Sequence, residues 1–213
     1  MKTDELIGML AAGAGPVPPH AVARRYLPAL AAGSFIALLL MALMLGPRPD
    51  LAVAAHLPMF WTKLVFVAAL TGASLLACTR LSRPGSRLGW APAALAIPVA
   101  FMWLLAALVL VQAEPARRTT LFFGETWNSC PWLIAMLSAP VFVAAIWAMK
   151  GLAPTRLRLA GAYAGLLAGG MGALVYCLHC PEIEAPFVGF WYLLGMSIPT
   201  ALGAAAGPQL LRW

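Results

Sequence analysis

Six long apolar stretches, joined by short polar loops, constrain this chain more than any other feature. They cover residues 27–45, 60–78, 92–112, 131–149, 159–178 and 187–206. A helix needs about 20 mostly apolar residues to cross the roughly 30 Å hydrocarbon layer of a bilayer. Each stretch meets that requirement, and Lys63 is the only formal charge inside any of them. We therefore predict an all-α membrane protein, built as a bundle of six transmembrane helices.

The composition supports a chain embedded in a lipid bilayer. Only 10% of its residues are charged and 62% are hydrophobic, whereas soluble domains carry about 25% charged residues. The formal charge of +7 therefore has to be assigned loop by loop. No cluster of Lys and Arg alternates with aromatic residues, so we expect no direct binding to nucleic acid.

The distribution of Lys and Arg predicts the orientation. With a cytoplasmic N-terminus, ten of these residues fall on the inner side and three on the outer side. The inner ones are Lys2, Arg24, Arg25, Arg80, Arg83, Arg87, Lys150, Arg156, Arg158 and Arg212; the outer ones are Arg48, Arg117 and Arg118. Cytoplasmic loops carry the excess of positive charge, so both termini are expected in the cytoplasm.

Three regions follow from this topology: an N-terminal segment 1–26, the membrane domain 27–206 and a short tail 207–213. The N-terminal segment begins MKTDELIGMLAA, and Leu6, Ile7 and Leu10 form an apolar stripe on a short helix. The Gly- and Pro-rich residues after it form a tether. Such a helix can lie on the bilayer, dock on its own bundle or bind a cytosolic partner. The residues alone favour the first two.

Span 5 has a face without side chains, because Gly161, Gly165 and Gly169 repeat every fourth residue. Small residues let neighbouring helices approach closely in lipid. We expect this face to pack inside the bundle, with a homo-oligomer contact as the alternative.

Three of the four cysteines fall near the outer surface. The motif CLHCPE contains Cys177 and Cys180, and NSCPW contains Cys130, whereas Cys78 lies at the inner end of span 2. Disulfides form and persist outside the bacterial cytoplasm. Cys130 and Cys180 each precede a proline at a helix end, where we expect exposed, reactive thiols. A bridge between them is feasible if spans 4 and 5 are neighbours.

Other interpretations of these cysteines remain open. Cys78 and Cys177 are accounted for as small apolar residues. A soft metal could bind Cys130, Cys177, Cys180 and His179, although C-x-x-C on one helix is a weak metal signal. A membrane thiol oxidase would need two outer cysteine pairs, and no catalytic constellation is visible. We therefore expect no enzyme activity and no cofactor.

Lys63 lies about one turn inside the outer end of span 2. A charge inside the membrane is a functional candidate by default. Its long stem could equally carry the ammonium to the nearby surface. The sequence does not separate these two interpretations.

Several motifs together resemble the NrsF family of membrane-bound anti-sigma factors. They are the opening MKTDELI, GPRPDL after span 1, FWTKL in span 2, NSCPW before span 4, and CPEIEAPFVGFWYLLGM leading into span 6. The resemblance extends over essentially the whole chain. The spacing of the two Cys-Pro motifs is its most specific part.

The resemblance implies a function in the bacterial inner membrane. The cytoplasmic face would bind an extracytoplasmic-function (ECF) sigma factor, with the stripe of Leu6, Ile7 and Leu10 as the favoured contact. Cys130 and Cys180 match the cysteine pair of the family and would sense oxidant or heavy metal, by a disulfide or a shared metal. Cys177 and His179 would be accessory.

A small transporter for metal ions or thiol substrates is the alternative function. A transporter would carry polar residues along a path through the middle of the membrane. Those positions are mostly Ala, Leu, Val and Gly, with Ser34, Ser74 and Ser138 as exceptions. The sequence therefore favours the regulator.

The topology can be tested with reporters. A reporter that is active only in the cytoplasm should work when it is fused after Trp213. A reporter that is active only in the periplasm should work when it is inserted after Thr119. The opposite pattern would reverse the side on which every cysteine lies.

Overall fold

A computed structural model describes residues 3–13 and 20–212 of the chain. The side chain of Leu10, residues 14–19 of the tether and Trp213 lie outside this description. The described part is helical and contains no strand. It has six helices long and apolar enough to cross a membrane, which confirms the predicted six-helix bundle.

The six long helices follow the predicted stretches and are longer in most cases. They are span 1 (Ala21–Leu45), span 2 (Pro58–Leu81), span 3 (Ala91–Gln112), span 4 (Cys130–Lys150), span 5 (Leu157–Tyr176) and span 6 (Ala185–Leu210). Span 5 ends two residues before the predicted boundary, so Cys177 follows the helix. Span 6 contains a π-helical turn at Val188–Tyr192. An N-terminal helix (Thr3–Gly13) precedes span 1. An outer helix (Pro115–Phe123) lies between spans 3 and 4.

Span 5 occupies the centre of the bundle, in contact with spans 2, 4 and 6. Span 1 packs against span 4, and span 3 packs against span 2 and the start of span 6. Span 3 has few buried residues, Ala91 and Met102, so most of its surface is left for lipid. We call the end of the bundle with loops 46–57, 113–129 and 177–184 the outer end.

Glycines explain why span 5 can be central. A Cβ atom on Gly161 would overlap the carbonyl oxygen of Gly203, and one on Gly165 would overlap that of Pro199. A Cβ atom on Gly169 would lie 3.0 Å from the Cα atom of Met196. All three partners are in span 6, so the expected glycine contact inside the bundle is confirmed.

A second glycine contact joins span 5 to span 4. A Cβ atom on Gly172 would lie 2.8 Å from the backbone nitrogen of Ser138 and 3.0 Å from the carbonyl oxygen of Ile134. The backbone of span 5 is therefore close to two neighbours at once. This contact holds spans 4 and 5 side by side near their outer ends, where the cysteines lie.

An aromatic cluster closes one side of the outer end. It joins the outer helix to the start of span 6 and consists of Phe122, Phe123, Trp127, Phe190 and Trp191. Trp191 Nε1 donates a hydrogen bond of 2.9 Å to the Phe122 carbonyl. The outer helix is thereby fastened to the bundle, where the sequence predicted only a loop.

The glycine contact can be tested with a matched pair of alanine variants. Gly165→Ala should lower the thermal midpoint of the detergent-solubilised protein, because the new methyl group overlaps the backbone of span 6. Overpacking of this kind costs about 1–3 kcal/mol. Gly72→Ala is the control, since Gly72 is exposed on span 2 and a Cβ atom there meets nothing within 4 Å. Equal stability of the two variants would contradict the role given to this contact.

Candidate functional site

The candidate site is built where spans 2, 4, 5 and 6 meet at the outer end. Cys130 is the first residue of span 4, and Cys177 follows the last residue of span 5. Helix-like hydrogen bonds continue to Cys180, whose N–H donates to the Tyr176 carbonyl at 2.9 Å. Pro181 has no N–H to continue them. The chain therefore turns at Cys180 and passes over the end of the bundle toward span 6.

All three outer cysteines are buried, and each has an exposed fraction of 0%. They are free thiols, with no disulfide between them. The expectation that Cys130 and Cys180 expose reactive thiols at the surface is therefore wrong. Burial keeps these sulfur atoms out of contact with solvent. A reagent or metal must enter the outer end before it reaches a sulfur atom.

Two tyrosines join the thiols into one cluster. The Tyr176 hydroxyl is close enough to interact electrostatically with both Cys130 and Cys180. The Tyr192 hydroxyl faces Cys177 and Cys180 and forms no hydrogen bond of normal geometry. The two rings lie 5.8 Å apart, centroid to centroid. The fold thus brings the predicted pair, Cys130 and Cys180, to the same tyrosine.

Lys63 is the charged member of this cluster. Its side chain is fully buried, and Nζ donates hydrogen bonds to the carbonyls of Cys180, at 3.2 Å, and Glu182, at 2.8 Å. The ammonium also lies 5.0 Å from the centre of the Tyr192 ring, a cation–π contact. The side chain therefore points into the protein, and the alternative in which it reaches the surface is wrong. Burying an unpaired ammonium costs several kcal/mol, which these three contacts offset.

Arg48 adds a second cation at the carbonyl of Cys180. Its Nη1 donates to the Cys180 carbonyl at 3.3 Å, and its guanidinium pairs with both oxygens of Asp50 at 2.7 Å. The Arg48 guanidinium holds the pKa of Asp50 below its usual value, mainly through these hydrogen bonds. The carbonyl of Cys180 therefore accepts from two cations that belong to different parts of the chain.

His179 also helps to bond the Cys180 turn to the loop after span 1. Its Nδ1 donates to the Gly46 carbonyl at 2.8 Å, and the Arg48 N–H donates to the Leu178 carbonyl at 3.0 Å. The loop after span 1 is thus bonded to the turn after span 5. In this arrangement the Nδ1 atom of His179 helps to fix the turn.

A metal site with three or four protein ligands is not formed in the described residues, where no group of three His, Cys, Asp or Glu could hold an ion. Structural zinc sites use four such ligands. Two sulfur ligands, Cys130 and Cys180, remain the prediction for a soft metal.

The N-terminal helix is a second candidate site. The side chains of Leu6 and Ile7 are 41% and 58% exposed, and Met9 is 58% exposed. The apolar stripe therefore offers an uncovered surface, although the Leu10 side chain lies outside the described residues. Asp4 and Glu5 stand in the first turn, where negative charge favours a helix.

A comparison with known proteins identifies the family. The model of the NrsF family, described as negative regulator of sigma F, matches residues 10–213. The chain belongs to the NrsF family. Membership places it among the negative regulators of sigma F and confirms the resemblance seen in the sequence motifs.

Two NrsF relatives match over their whole lengths. The chain is 59% identical to the probable anti-sigma-F factor NrsF of Azospira oryzae, with both chains fully covered. It is 40% identical to the anti-sigma-F factor NrsF of Caulobacter vibrioides, again over the whole of both chains. No solved structure matches.

The sequence did not predict several residues of the cluster around the outer cysteines. Tyr176 and Tyr192 looked like ordinary aromatic residues at a span end, and Arg48 like an outer-loop charge. Their tertiary partners are far away in the chain, so no local pattern marks them. Lys63 was the exception, because an isolated charge in an apolar stretch is visible in the sequence.

Proposed function

We propose that this protein is an inner-membrane anti-sigma factor that sequesters an ECF sigma factor and releases it under oxidant or heavy-metal stress. The observation that carries the proposal is the match along the whole chain to relatives named anti-sigma-F factors. The partner would be the sigma factor that gives the family its description. The stress signal would enter at the outer cysteines, and the sigma factor would leave from the inner side.

The topology supports the placement of sensing at the outer end and of sigma-factor binding at the inner end. An even number of spans brings both ends of the membrane domain to the same side. That side carries the basic loops 82–90 and 151–156, which the positive-inside rule assigns to the cytoplasm. The N-terminal helix and the cysteine cluster then lie on opposite sides of the membrane, as a sensor coupled to a regulator requires.

The stripe of the N-terminal helix is the surface that we assign to the sigma factor. Leu6 and Ile7 are exposed although they are large and apolar. An amphipathic helix commonly lays such a face into an apolar groove of its partner. Because the predicted tether joins this helix to span 1, the helix can reach a partner without moving the bundle.

Cys130 and Cys180 are the residues that we assign to sensing. Oxidation would join their sulfur atoms and transfer two electrons to the oxidant, with release of two protons. A soft metal ion would instead displace the two thiol protons and bind both sulfurs. Either event changes how the outer ends of spans 4 and 5 meet. Loop 151–156, which contains Arg156 and lies between Lys150 and Arg158, would pass the change to the inner face.

One thiol pair supplies enough free energy for such a switch. Moving a two-state equilibrium from 1:99 to 99:1 takes about 5.5 kcal/mol. For a two-electron couple, 30 mV corresponds to about 1.4 kcal/mol. A difference of roughly 120 mV between the reduction potentials of the bound and released states is therefore sufficient.

A small transporter is less well supported. The buried serines in the middle of the bundle use their hydroxyls inside their own helices: Ser74 Oγ donates to the Leu70 carbonyl at 2.7 Å and Ser138 Oγ to the Ala135 carbonyl at 2.6 Å. These groups are satisfied and do not line a polar path through the bundle. The observation favours a regulator.

Binding of the partner can be tested by charge on the stripe. Changing Leu6 and Ile7 together to Asp should weaken the affinity for the sigma factor by at least about a hundredfold. The sigma factor should then no longer co-purify with the protein from detergent. Burying unpaired carboxylates in an apolar contact costs several kcal/mol, and about 1.4 kcal/mol is tenfold. Ala12→Asp adds one carboxylate on the opposite face of the helix and should retain the partner. Full retention by the double variant would refute the assignment of this surface.

Sensing can be tested with single Ser variants of the four cysteines. Sigma-dependent transcription is measured before and after challenge with oxidant or cadmium. The response should be lost in Cys130→Ser and Cys180→Ser, weakened at most in Cys177→Ser, and unchanged in Cys78→Ser, which is buried at the inner end. A response abolished by Cys177→Ser but not by Cys130→Ser would move the sensor to the C-x-x-C motif.

A further inference from the structure

The buried ammonium of Lys63 connects span 2 to the turn that carries Cys180. Its two hydrogen-bond acceptors are main-chain carbonyls, those of Cys180 and Glu182. In the described residues Lys63 has no ion pair with a carboxylate. The contacts of this ammonium therefore depend on the path of the backbone through the turn, and one of them is on the sensing residue itself.

Movement of Cys180 toward Cys130 would lengthen the contact between its carbonyl and Lys63. A disulfide requires the two Cβ atoms to come within about 3.5–4.5 Å. The carbonyl of Cys180 moves with its Cα atom when the side chain is drawn toward Cys130. The Nζ···O distance is already 3.2 Å, near the upper end of a normal hydrogen bond. An ammonium that loses one of its acceptors in a buried site is destabilised there, since a buried charged group is costly to leave less than fully bonded.

Span 2 leads from this contact to the inner end of the bundle. There Arg80 Nη1 donates to the Leu88 carbonyl at 2.6 Å, inside the inner loop. Ser82 Oγ lies 3.1 Å from the hydroxyl of Tyr26 at the start of span 1. Span 2 is one continuous helix from Pro58 to Leu81. A displacement of its outer end can therefore reach both the inner loop and the base of the tether.

We propose that Lys63 is a latch: it holds the Cys180 turn closed on span 2, and its release carries the signal along span 2 to the inner face. The inference rests on the proposed function, because it assumes that Cys130 and Cys180 are the sensing pair. It adds a positioning residue and a route through span 2 besides the inner loop 151–156. In this arrangement the resting, sigma-binding state is the latched state.

Removal of the latch should mimic the stress signal. Lys63→Met keeps the length and apolar stem of the side chain and removes the ammonium. Without any challenge, we expect sigma-dependent transcription about tenfold above the wild-type level, the factor that corresponds to about 1.4 kcal/mol. Arg118→Met is the control, since Arg118 is an exposed outer cation whose Nε donates to one main-chain carbonyl, that of Ala113. Transcription at the control level in Lys63→Met would overturn the latch.

Serine substitutions separate the latch from the sensor. Transcription should remain raised when Lys63→Met is combined with Cys130→Ser and Cys180→Ser, because the latch acts after the cysteines. Loss of the rise in the triple variant would show that Lys63 acts only on thiol reactivity, and the latch would be wrong. If deletion of the whole gene leaves transcription unchanged, the proposed function itself fails. If deletion raises transcription and Lys63→Met does not, only the latch fails.

The wild-type chain provides a test that does not depend on a folded variant. Lysines in membrane vesicles are acetylated with a permeable N-hydroxysuccinimide ester and located by mass spectrometry. Lys150 is exposed and should be labelled under all conditions. Lys63 should be protected at rest and labelled after the oxidant or cadmium challenge. Equal protection of Lys63 before and after a challenge that induces transcription would overturn the proposal. Membrane content of each variant is measured by immunoblot, so that loss of protein is not counted as release.

Discussion

The close contact between the backbones of spans 5 and 6 is the constraint on which the rest of the bundle depends. A lipid bilayer offers no hydrophobic force to drive helices together, so packing at short distance must hold them. Gly161 and Gly165 provide that distance against Gly203 and Pro199 of span 6. Because span 5 has glycines on several faces, spans 2 and 4 can also pack closely against it. The cysteine cluster sits at the outer end of this central helix, and its geometry follows from the same contact.

The outer end combines apolar burial with two cations, an arrangement that is stable only while both cations keep their partners. Lys63 and Arg48 both donate to the carbonyl of Cys180. Removing one partner of a buried charge is far more costly than the net benefit of the pair. The cluster is therefore sensitive to small displacements of the Cys180 turn. This sensitivity is a useful property in a sensor, because a sub-ångström change at a sulfur atom can alter the balance between two packed states.

The buried position of the thiols has a consequence for specificity. Thiols that are buried beneath the Cys180 turn react only with reagents that can enter the outer end of the bundle, or with reagents that stabilise a state in which this turn has moved away. A fully exposed pair would respond to any mild oxidant. In the function proposed above, a threshold of this kind would keep the sigma factor bound until the challenge is strong enough to open the outer end.

The sequence by itself determined the class of the protein, because about 20 apolar residues in a row can satisfy their backbone groups in lipid only as a helix. It also determined the glycine face of span 5, since the four-residue spacing is local, and it marked Lys63, Cys130 and Cys180. Tertiary structure alone decided that the thiols are buried, that Tyr176 lies beside both of them, and that Lys63 points inward to the carbonyls of Cys180 and Glu182. Those contacts join residues from spans 2, 4 and 5 and from the turn between spans 5 and 6. No local pattern records them, because they arise only when span 5 has packed against its neighbours.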